Sequence, residues 1–191
     1  MDNFYGMLAR MKYINRWGLM RNTRTENIAE HSLAVAFIAH SLAVIANTYF
    51  NRNLDANEVA VIAMYHDTTE IITGDLPTPI KYYAPDIRDA YKELESVAAN
   101  QLLKELPQEM RDVYHPILHE QADEYVLKLV KGADKLSALI KCMEEKSTGN
   151  TDFDKAYDTI MKSLVDMNIE EVNYFIMHFL PSYNRTIDEL N

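Results

Sequence analysis

The chain has 191 residues, of which 48% are hydrophobic, and its formal net charge is −10 at pH 7. A chain of this length can bury a core as one domain over residues 1–191, and its acidity argues against binding nucleic-acid polymers. A single cysteine, Cys142, excludes an internal disulfide and fits a cytoplasmic location. The longest apolar run, residues 33–46, is shorter than the roughly 20 residues that cross a bilayer, so we expect no membrane span.

Apolar residues recur at helical spacing along most of the chain, and no convincing strand alternation is present. Asn27 and Asp55 are each followed three residues later by a glutamate, a pattern that starts helices. They predict helices to about residue 49 and over about 59–69. Further helices are predicted over about 4–15, 86–106, a shorter stretch ending near 114 before Pro116, 125–146, 153–165 and 170–179. The fold class predicted is all-α, a helical bundle.

The segment YHDTTEIITGDLPTP, residues 65–79, concentrates side chains suited to holding a metal and moving protons. On the predicted helix, His66 and Glu70 are four residues apart and Asp67 and Glu70 are three apart, so they share one face. The segment closes on a Gly-Asp-Leu-Pro loop that contains Asp75. These residues predict a metal ligand pair beside a proton-transfer carboxylate.

Three polar residues interrupt the apolar stripes of three different predicted helices: His31, His66 and Asp134. One buried histidine alone is more often a hydrogen-bonded core residue. A buried carboxylate, however, is costly unless it is paired or binds a cation. Two imidazoles and two carboxylates, with Asp67 included, suit a divalent first-row metal that lowers the pKa of its water.

Residues 3–25 contain five basic side chains and no acid, which is unusual in so acidic a chain. This local excess suggests an anion site. Arg10 and Lys12 are equally well explained as a solvated basic face. Arg16 is the stronger candidate because the chain's only tryptophan, Trp17, follows it in a predicted turn.

Three segments carry a family resemblance: INRWGLMRNTRTENIAEHS (14–32), AMYHDTTEIITGDLPTPIKYY (63–83) and VKGADKLSALIKCMEE (130–145). The order His31, His66-Asp67, Asp134 resembles the H…HD…D signature of HD-domain metal-dependent phosphohydrolases. The flanking residues resemble the YfbR-type 5′-deoxynucleotidase family from the first helix to the final FLPSYNRTIDE. The resemblance implies an HD-domain bundle that hydrolyses deoxyribonucleoside 5′-monophosphates by in-line attack of metal-bound water.

The resemblance also implies roles for individual residues. One divalent ion per subunit, cobalt or manganese, would be held by His31, His66, Asp67 and Asp134. Glu70 would transfer the proton of the attacking water, with Arg16 orienting the phosphate and Asp67 also taking part in catalysis.

Substrate contacts follow from the same resemblance. Trp17 would pack on the sugar and disfavour a 2′-hydroxyl, and Asp67 and Asp134 would approach the phosphate. The sugar side of the pocket would be formed by Asp75, Leu76, Pro77 and Thr78. The family resemblance further implies a homodimer.

Other interpretations remain open at this point. Another HD chemistry, a phosphodiesterase or a deoxynucleotide triphosphohydrolase, would need more cationic side chains than Arg16 to hold a triphosphate. A catalytically silent nucleotide-binding module would show gaps in the ligand set, and none is visible. His115 and His119, four residues apart, fit either a second metal or a surface turn.

Overall fold

The computed structural model describes residues 2–77 and 84–190, and its regular elements are helices. The α-helices are α1 (Phe4–Leu8), α2 (Ile28–Tyr49), α3 (Ala56–Tyr65), α4 (Glu70–Thr73), α5 (Pro85–Lys104), α6 (Gln108–Leu118), α7 (Glu124–Ser147), α8 (Asp154–Asp166) and α9 (Glu170–His178). Short 3₁₀ helices span Ala9–Tyr13, Thr151–Phe153, Leu180–Asn184 and Ile187–Glu189. Among the described residues, β pairing is limited to one bridge between Asn15 and Asn27. The all-α prediction is confirmed.

The start of α2 is set by a reciprocal cap. The Asn27 side chain accepts hydrogen bonds from the backbone N–H groups of Ala29 and Glu30, both at 3.0 Å. The Glu30 carboxylate accepts in return from the Asn27 backbone N–H at 3.3 Å. Asp55 caps α3 through two backbone N–H groups in the same way. These caps satisfy donors that a helix end leaves exposed, which is why both predicted starts are confirmed.

The main core lies where α2, α3 and α7 pack directly against one another, with α8 and α9 covering it. Leu42 from α2, Val59 from α3 and Leu136 from α7 are each 0% exposed. A second cluster joins α1, α5 and α6 around Phe4 and Leu102. Because α2 and α7 meet α3 along this core, the start of α2, the end of α3 and the middle of α7 are brought close together.

Helix α2 is long and apolar enough to cross a membrane by length and composition, the one such helix within the described residues. The helix extends beyond the apolar run of residues 33–46 at both ends. In the fold, 56% of its 18-residue apolar window is buried against other helices. That burial is what a central core helix requires, since the helix sits between α3 and α7.

The predicted continuous helix over residues 59–69 is wrong, because α3 ends at Tyr65 and α4 begins at Glu70. The Thr68 backbone N–H and its Oγ1 both donate to the Tyr65 carbonyl, at 3.1 and 2.7 Å. The Glu70 N–H likewise donates to the Asp67 carbonyl at 3.1 Å. Bonds to the third preceding residue give three residues per turn, so side chains three apart lie above one another.

Two other helix boundaries differ from prediction. Helix α6 continues past Pro116 to Leu118, because a proline in the last turn removes few bonds and its carbonyl still accepts from the Gln121 N–H at 2.8 Å. The first predicted helix, to about residue 15, changes from α to 3₁₀ geometry after Leu8 and ends at Tyr13.

Helices α7 and α9 approach closely at Gly132, where an added Cβ would lie 2.8 Å from Val172 Cγ2. Both residues are buried, so Gly132→Ala should lower the free energy of unfolding by about 1–3 kcal/mol through overpacking. Urea unfolding followed by circular dichroism measures the effect. Gly6→Ala, with no heavy atom within 4 Å of its added Cβ, is the control and should not destabilise. Wild-type stability for Gly132→Ala would show that the contact is not tight.

Candidate metal centre

His31 lies in the first turn of α2, and its ring is fully buried, at 0% exposure. Its Nδ1 lies 3.2 Å from the hydroxyl of Ser137 on α7. This contact turns Nε2 towards two carboxylates, 3.2 Å from Asp134 Oδ1 and 3.6 Å from Asp67 Oδ2. Metal-binding histidines are commonly oriented by a partner on their second ring nitrogen, and His31 has that arrangement.

His66 ends α3 and is oriented by the backbone. Its Nδ1 donates to the Ala63 carbonyl at 2.7 Å, so a neutral ring carries its lone pair on Nε2. That Nε2 lies 3.2 Å from Asp67 Oδ1. One ligand atom each from His31, His66 and Asp134 lie within 4.8 Å of one another, close enough to contact a single cation.

The charged groups of this cluster shift one another's pKa. Burial opposes a charge on His66, but Asp67 and Asp134 outweigh it and raise the pKa of His66 to about 9. Burial favours the neutral acid at Asp67, yet His66 holds the pKa of that carboxyl well below its usual range. The pKa of Asp134 is also lowered against its burial, chiefly by Lys131, whose Nζ lies 2.6 Å from Asp134 Oδ2. In the absence of a metal, the raised pKa favours a proton on His66, and a metal that binds His66 would displace that proton.

The donor set fits a divalent first-row metal. The Nε2 atoms of His31 and His66 are both buried and make no hydrogen bond within the described chain. Buried ring nitrogens aimed at the same two carboxylates are costly unless a cation lies between them. Imidazole nitrogens together with carboxylate oxygens are the ligands that such ions accept.

Arg16 lies directly beside the cluster. Its Nη1 is 3.2 Å from Asp67 Oδ2 and its Nε is 3.2 Å from Glu26 Oε2. Burial lowers the pKa of the guanidinium, but the surrounding carboxylates, Asp67 first, raise it above its usual value. A firmly charged arginine therefore shares a carboxylate with the candidate metal ligands.

Trp17 adopts a strained backbone conformation, with φ at +60°, which is rare for a bulky side chain. Its Nε1 donates to Glu26 Oε2 at 3.0 Å, and its carbonyl accepts from the Met20 N–H at 2.9 Å. The indole packs against Phe153, with ring centroids 5.3 Å apart. Strain of this kind persists only where surrounding contacts hold it, and it is concentrated at functional sites.

Sequence reasoning missed Glu26, the residue whose single carboxylate oxygen holds both the Arg16 and the Trp17 side chains. A signal was available, because Glu26 is the first acid after the acid-free residues 3–25. Ser137 was also missed, since a serine one turn after Asp134 on a helix gives no warning that it contacts His31.

Glu70, the predicted proton-transfer group, is only 7% exposed and begins α4. The tight turn before it places Glu70 over Asp67. Asp75, Leu76 and Pro77 follow the positive-φ Gly74 and are half-buried. The charge of Asp75 is near enough to contribute to the raised pKa of Arg16. Thr78 lies outside the described residues.

A cavity of about 480 Å³ adjoins the cluster on the side of α5 and α7. Its walls include His66, Asp67, Asp134, Arg88, Lys92, Glu120 and Lys131. His119 lies on this wall with its Nε2 3.3 Å from Asn100 Oδ1, while His115 is exposed. The His115 and His119 rings contact each other at a tilt, with 4.6 Å between centroids, and do not join the His31 cluster.

Comparison with known proteins identifies the family. Residues 3–183 match the family model for YfbR-like 5′-deoxynucleotidases. The 5′-deoxynucleotidase YfbR of Photorhabdus temperata is 47% identical over all of this chain and 98% of its own length. A 5′-deoxynucleotidase of Yersinia pestis is 48% identical over the same shares.

Solved structures share the fold. An HD-domain phosphohydrolase from Listeria innocua superposes with a TM-score of 0.82 at 23% identity, covering 95% of this chain and 88% of its own. A cyanophage S-2L HD phosphohydrolase, DatZ, bound to dA and one catalytic Zn²⁺ ion, has a TM-score of 0.66 at 22% identity, over 94% of this chain and 95% of its own. The full-length relatives and the matching family model show that the chain belongs to the YfbR-like 5′-deoxynucleotidase family, and the solved structures show that it has the fold of HD-domain phosphohydrolases.

Proposed function

We propose that this chain is a metal-dependent 5′-nucleotidase that hydrolyses deoxyribonucleoside 5′-monophosphates to the deoxyribonucleoside and inorganic phosphate. One observation carries the proposal: ligand atoms of His31, His66 and Asp134 lie within 4.8 Å of one another, and Asp67 contacts both histidines and the charged Arg16 beside them. Phosphoryl transfer depends on positioning and on neutralising charge at the phosphate oxygens, and this arrangement supplies both. The names of the full-length relatives support the same activity.

The metal ligands proposed are His31, His66, Asp67 and Asp134, holding one divalent ion, cobalt or manganese. When bound, such an ion neutralises phosphate charge and lowers the pKa of a water molecule that it binds. Support comes from the buried Nε2 atoms of both histidines and from the low pKa of both carboxyls.

Arg16 is proposed to bind and orient the phosphate, since a guanidinium donates paired N–H groups that match phosphate oxygens. Its side chain is only 13% exposed, so its attraction to an anion is little screened by solvent. Glu70 is proposed to take the proton of the water that attacks phosphorus opposite the leaving 5′-oxygen. Asp67 serves both the metal and the catalytic step, because it contacts His66 and Arg16 at once.

Selectivity for a deoxyribose is assigned to Trp17, since an absent hydroxyl offers nothing to hydrogen-bond and a rigid wall can exclude the hydroxyl of a ribose. The strained, doubly held indole suits such a wall. The proposed sugar contacts are Asp75, Leu76, Pro77 and Thr78. The phosphate side is completed by Asp67 and Asp134. Asp67 and Asp134 also line the cavity of about 480 Å³, which is of a size that accepts a nucleoside, whereas Trp17 and Asp75 lie outside its lining.

We further propose one catalytic domain over residues 1–191, a cytoplasmic homodimer that binds no nucleic-acid polymer. The net charge of −10 supports the last point. Exposed apolar side chains on one face of α2 support self-association, since Leu33, Phe37 and Val44 are 51%, 69% and 43% exposed.

A second candidate, hydrolysis of nucleotides with longer phosphate chains, is favoured by one observation. Arg88, Lys92 and Lys131 line the cavity beside the cluster, adding the cations that a triphosphate would require. Two of them already have acidic partners, because Arg88 contacts Asp89 at 2.9 Å and Lys131 contacts Asp134. The monophosphate therefore remains the proposed substrate.

Phosphate release should be fastest with dAMP, much slower with AMP, and absent after chelator treatment. Cobalt or manganese should restore activity, because His31 and its partners need a cation to act. A side-by-side assay of dAMP, AMP, dATP and a cyclic nucleotide measures this. Turnover of dATP alone would favour the second candidate, and activity that survives complete metal removal would contradict the proposed mechanism.

Glu70→Gln should keep metal and nucleotide affinity but lower kcat by about 10²-fold or more, because the amide cannot accept the proton. Metal titration and single-turnover phosphate release separate binding from chemistry. Glu93→Gln, an exposed carboxylate on α5, is the matched control and should retain kcat. Full turnover by the Glu70→Gln protein would exclude Glu70 from proton transfer.

Trp17→Ala should reduce the ratio of kcat/KM for dAMP over AMP by about 10- to 100-fold, since the wall against the 2′-hydroxyl is lost. Trp17→Phe keeps an aromatic wall but loses the donor to Glu26, so the ratio should fall less. Competition assays with both nucleotides give the ratio directly. An unchanged ratio in Trp17→Ala would assign selectivity to another residue.

A further inference from the structure

The second half of α7 carries a buried ion pair that none of the proposed catalytic steps uses. Lys141 and Glu145 are one turn apart, their side chains are only 3% and 1% exposed, and their charged groups are in direct contact. A buried ion pair contributes little net stability compared with apolar side chains of similar size. The role of the pair is therefore sought in its other contacts. Their hydrogen-bond partners lie in the segment that carries Arg16 and Trp17 or in the turn after α7.

That segment, residues 14–28, is called the Arg16 loop. Its base is closed by backbone hydrogen bonds, from the Arg16 N–H to the Glu26 carbonyl at 2.9 Å and from the Ile28 N–H to the Ile14 carbonyl at 3.0 Å. Within the loop, Glu26 then holds the Arg16 side chain. Closure at the base leaves the tip to be fixed by contacts with another part of the fold.

The ion pair fixes the tip. Glu145 Oε2 accepts from the Thr23 N–H at 2.9 Å and from Thr23 Oγ1 at 2.6 Å, and Oε1 accepts from the Arg24 N–H at 3.3 Å. Lys141 Nζ donates to the Arg24 carbonyl at 2.5 Å. Asn150 Nδ2 adds a further donor to Glu145 at 2.8 Å. The two charged side chains thus provide hydrogen-bond partners for backbone groups of Thr23 and Arg24, which lie outside any helix.

The pair also reaches Trp17 through packing. Lys141 Nζ lies 5.7 Å from the centre of the Phe153 ring, and the same ring packs against the Trp17 indole. Phe153 is 0% exposed and therefore has little room to move. The positions of its neighbours Lys141 and Trp17 consequently depend on each other. The strained φ of Trp17 requires such restraint from both sides.

Asp134, Ser137, Lys141 and Glu145 follow one another along one stripe of α7, at spacings of three, four and four residues. The first two belong to the metal cluster, and the last two hold the tip of the Arg16 loop. We propose that Lys141 and Glu145 are positioning residues that use α7 to set Arg16 and Trp17 relative to the metal cluster, and so determine phosphate affinity and deoxyribose selectivity. The inference deepens the proposed function and rests on it.

The test variant neutralises the pair as a whole, Lys141→Met with Glu145→Gln, so that no single charge is left buried. The control neutralises a neighbouring exposed pair, Lys146→Met with Asp154→Asn, which are 3.1 Å apart. A milder variant, Thr23→Val, removes only the hydroxyl that Glu145 accepts and keeps the shape of the side chain. Thr23→Val replaces the double variant as the test if the double variant does not fold.

The first readout is independent of activity, because Trp17 is the only tryptophan and its fluorescence reports the loop directly. In the pair variant, and more weakly in Thr23→Val, we expect red-shifted emission and stronger acrylamide quenching than in wild type and in the control. The second readout is kinetic: KM for dAMP should rise about 10-fold or more, and the dAMP over AMP ratio should fall. Cobalt affinity, followed by absorption, should stay within a factor of about two, because the ligand contacts are untouched.

Wild-type fluorescence and wild-type selectivity in a folded pair variant, or in folded Thr23→Val if the pair variant does not fold, would overturn the inference. A loss of kcat and cobalt affinity with unchanged Trp17 quenching would overturn it too, since the pair would then act on the metal cluster. If wild type itself releases no phosphate from dAMP, the proposed function fails, while Trp17 quenching still decides whether the pair positions the loop.

Discussion

Burying two carboxylates beside two imidazoles is the constraint on which the rest of this structure depends. Asp67 and Asp134 meet His31 and His66 where α2, α3 and α7 converge, out of reach of most solvent screening. In the absence of a metal ion, Arg16, Lys131 and a proton on His66 balance the two carboxylates, and Asp67 and Asp134 raise the pKa of His66 against the effect of its burial. A core that accepts this cost is built around an ion that removes it.

The same demand for positive charge explains the position of Arg16. The arginine lies on Asp67, and Lys131, which lines the cavity, lies on Asp134. Cations therefore flank both carboxylates, and their charge is available to an incoming phosphate. Glu26 shares its carboxylate between Arg16 and Trp17, so one side chain holds both the proposed phosphate contact and the proposed sugar contact.

Helices α2 and α7 hold His31 and Asp134, and the turn after α3 holds His66 and Asp67. An irregular loop holds the groups proposed to recognise the substrate. Precision in that loop comes from its closed base and from the buried Lys141–Glu145 pair rather than from regular structure. The short turn between α3 and α4 serves a similar purpose, because its contracted hydrogen bonding brings Glu70 over Asp67.

The sequence by itself determined the all-α class, the capped starts of α2 and α3, and the family, because these depend on local periodicity, local hydrogen bonding and recognisable motifs. It also singled out His31, His66 and Asp134, since polar residues on apolar stripes are conspicuous, and Asp67 through its place beside His66 in the recognisable motif. The end of α3 at Tyr65 was not predicted although its cause is local, because the Thr68 hydroxyl donates to the Tyr65 carbonyl and competes with the helix. Only the tertiary structure decided the roles of Glu26, Ser137 and Glu145: Ser137 and Glu145 contact residues more than a hundred positions away, and Glu26 holds Arg16 and Trp17 only because the loop folds back.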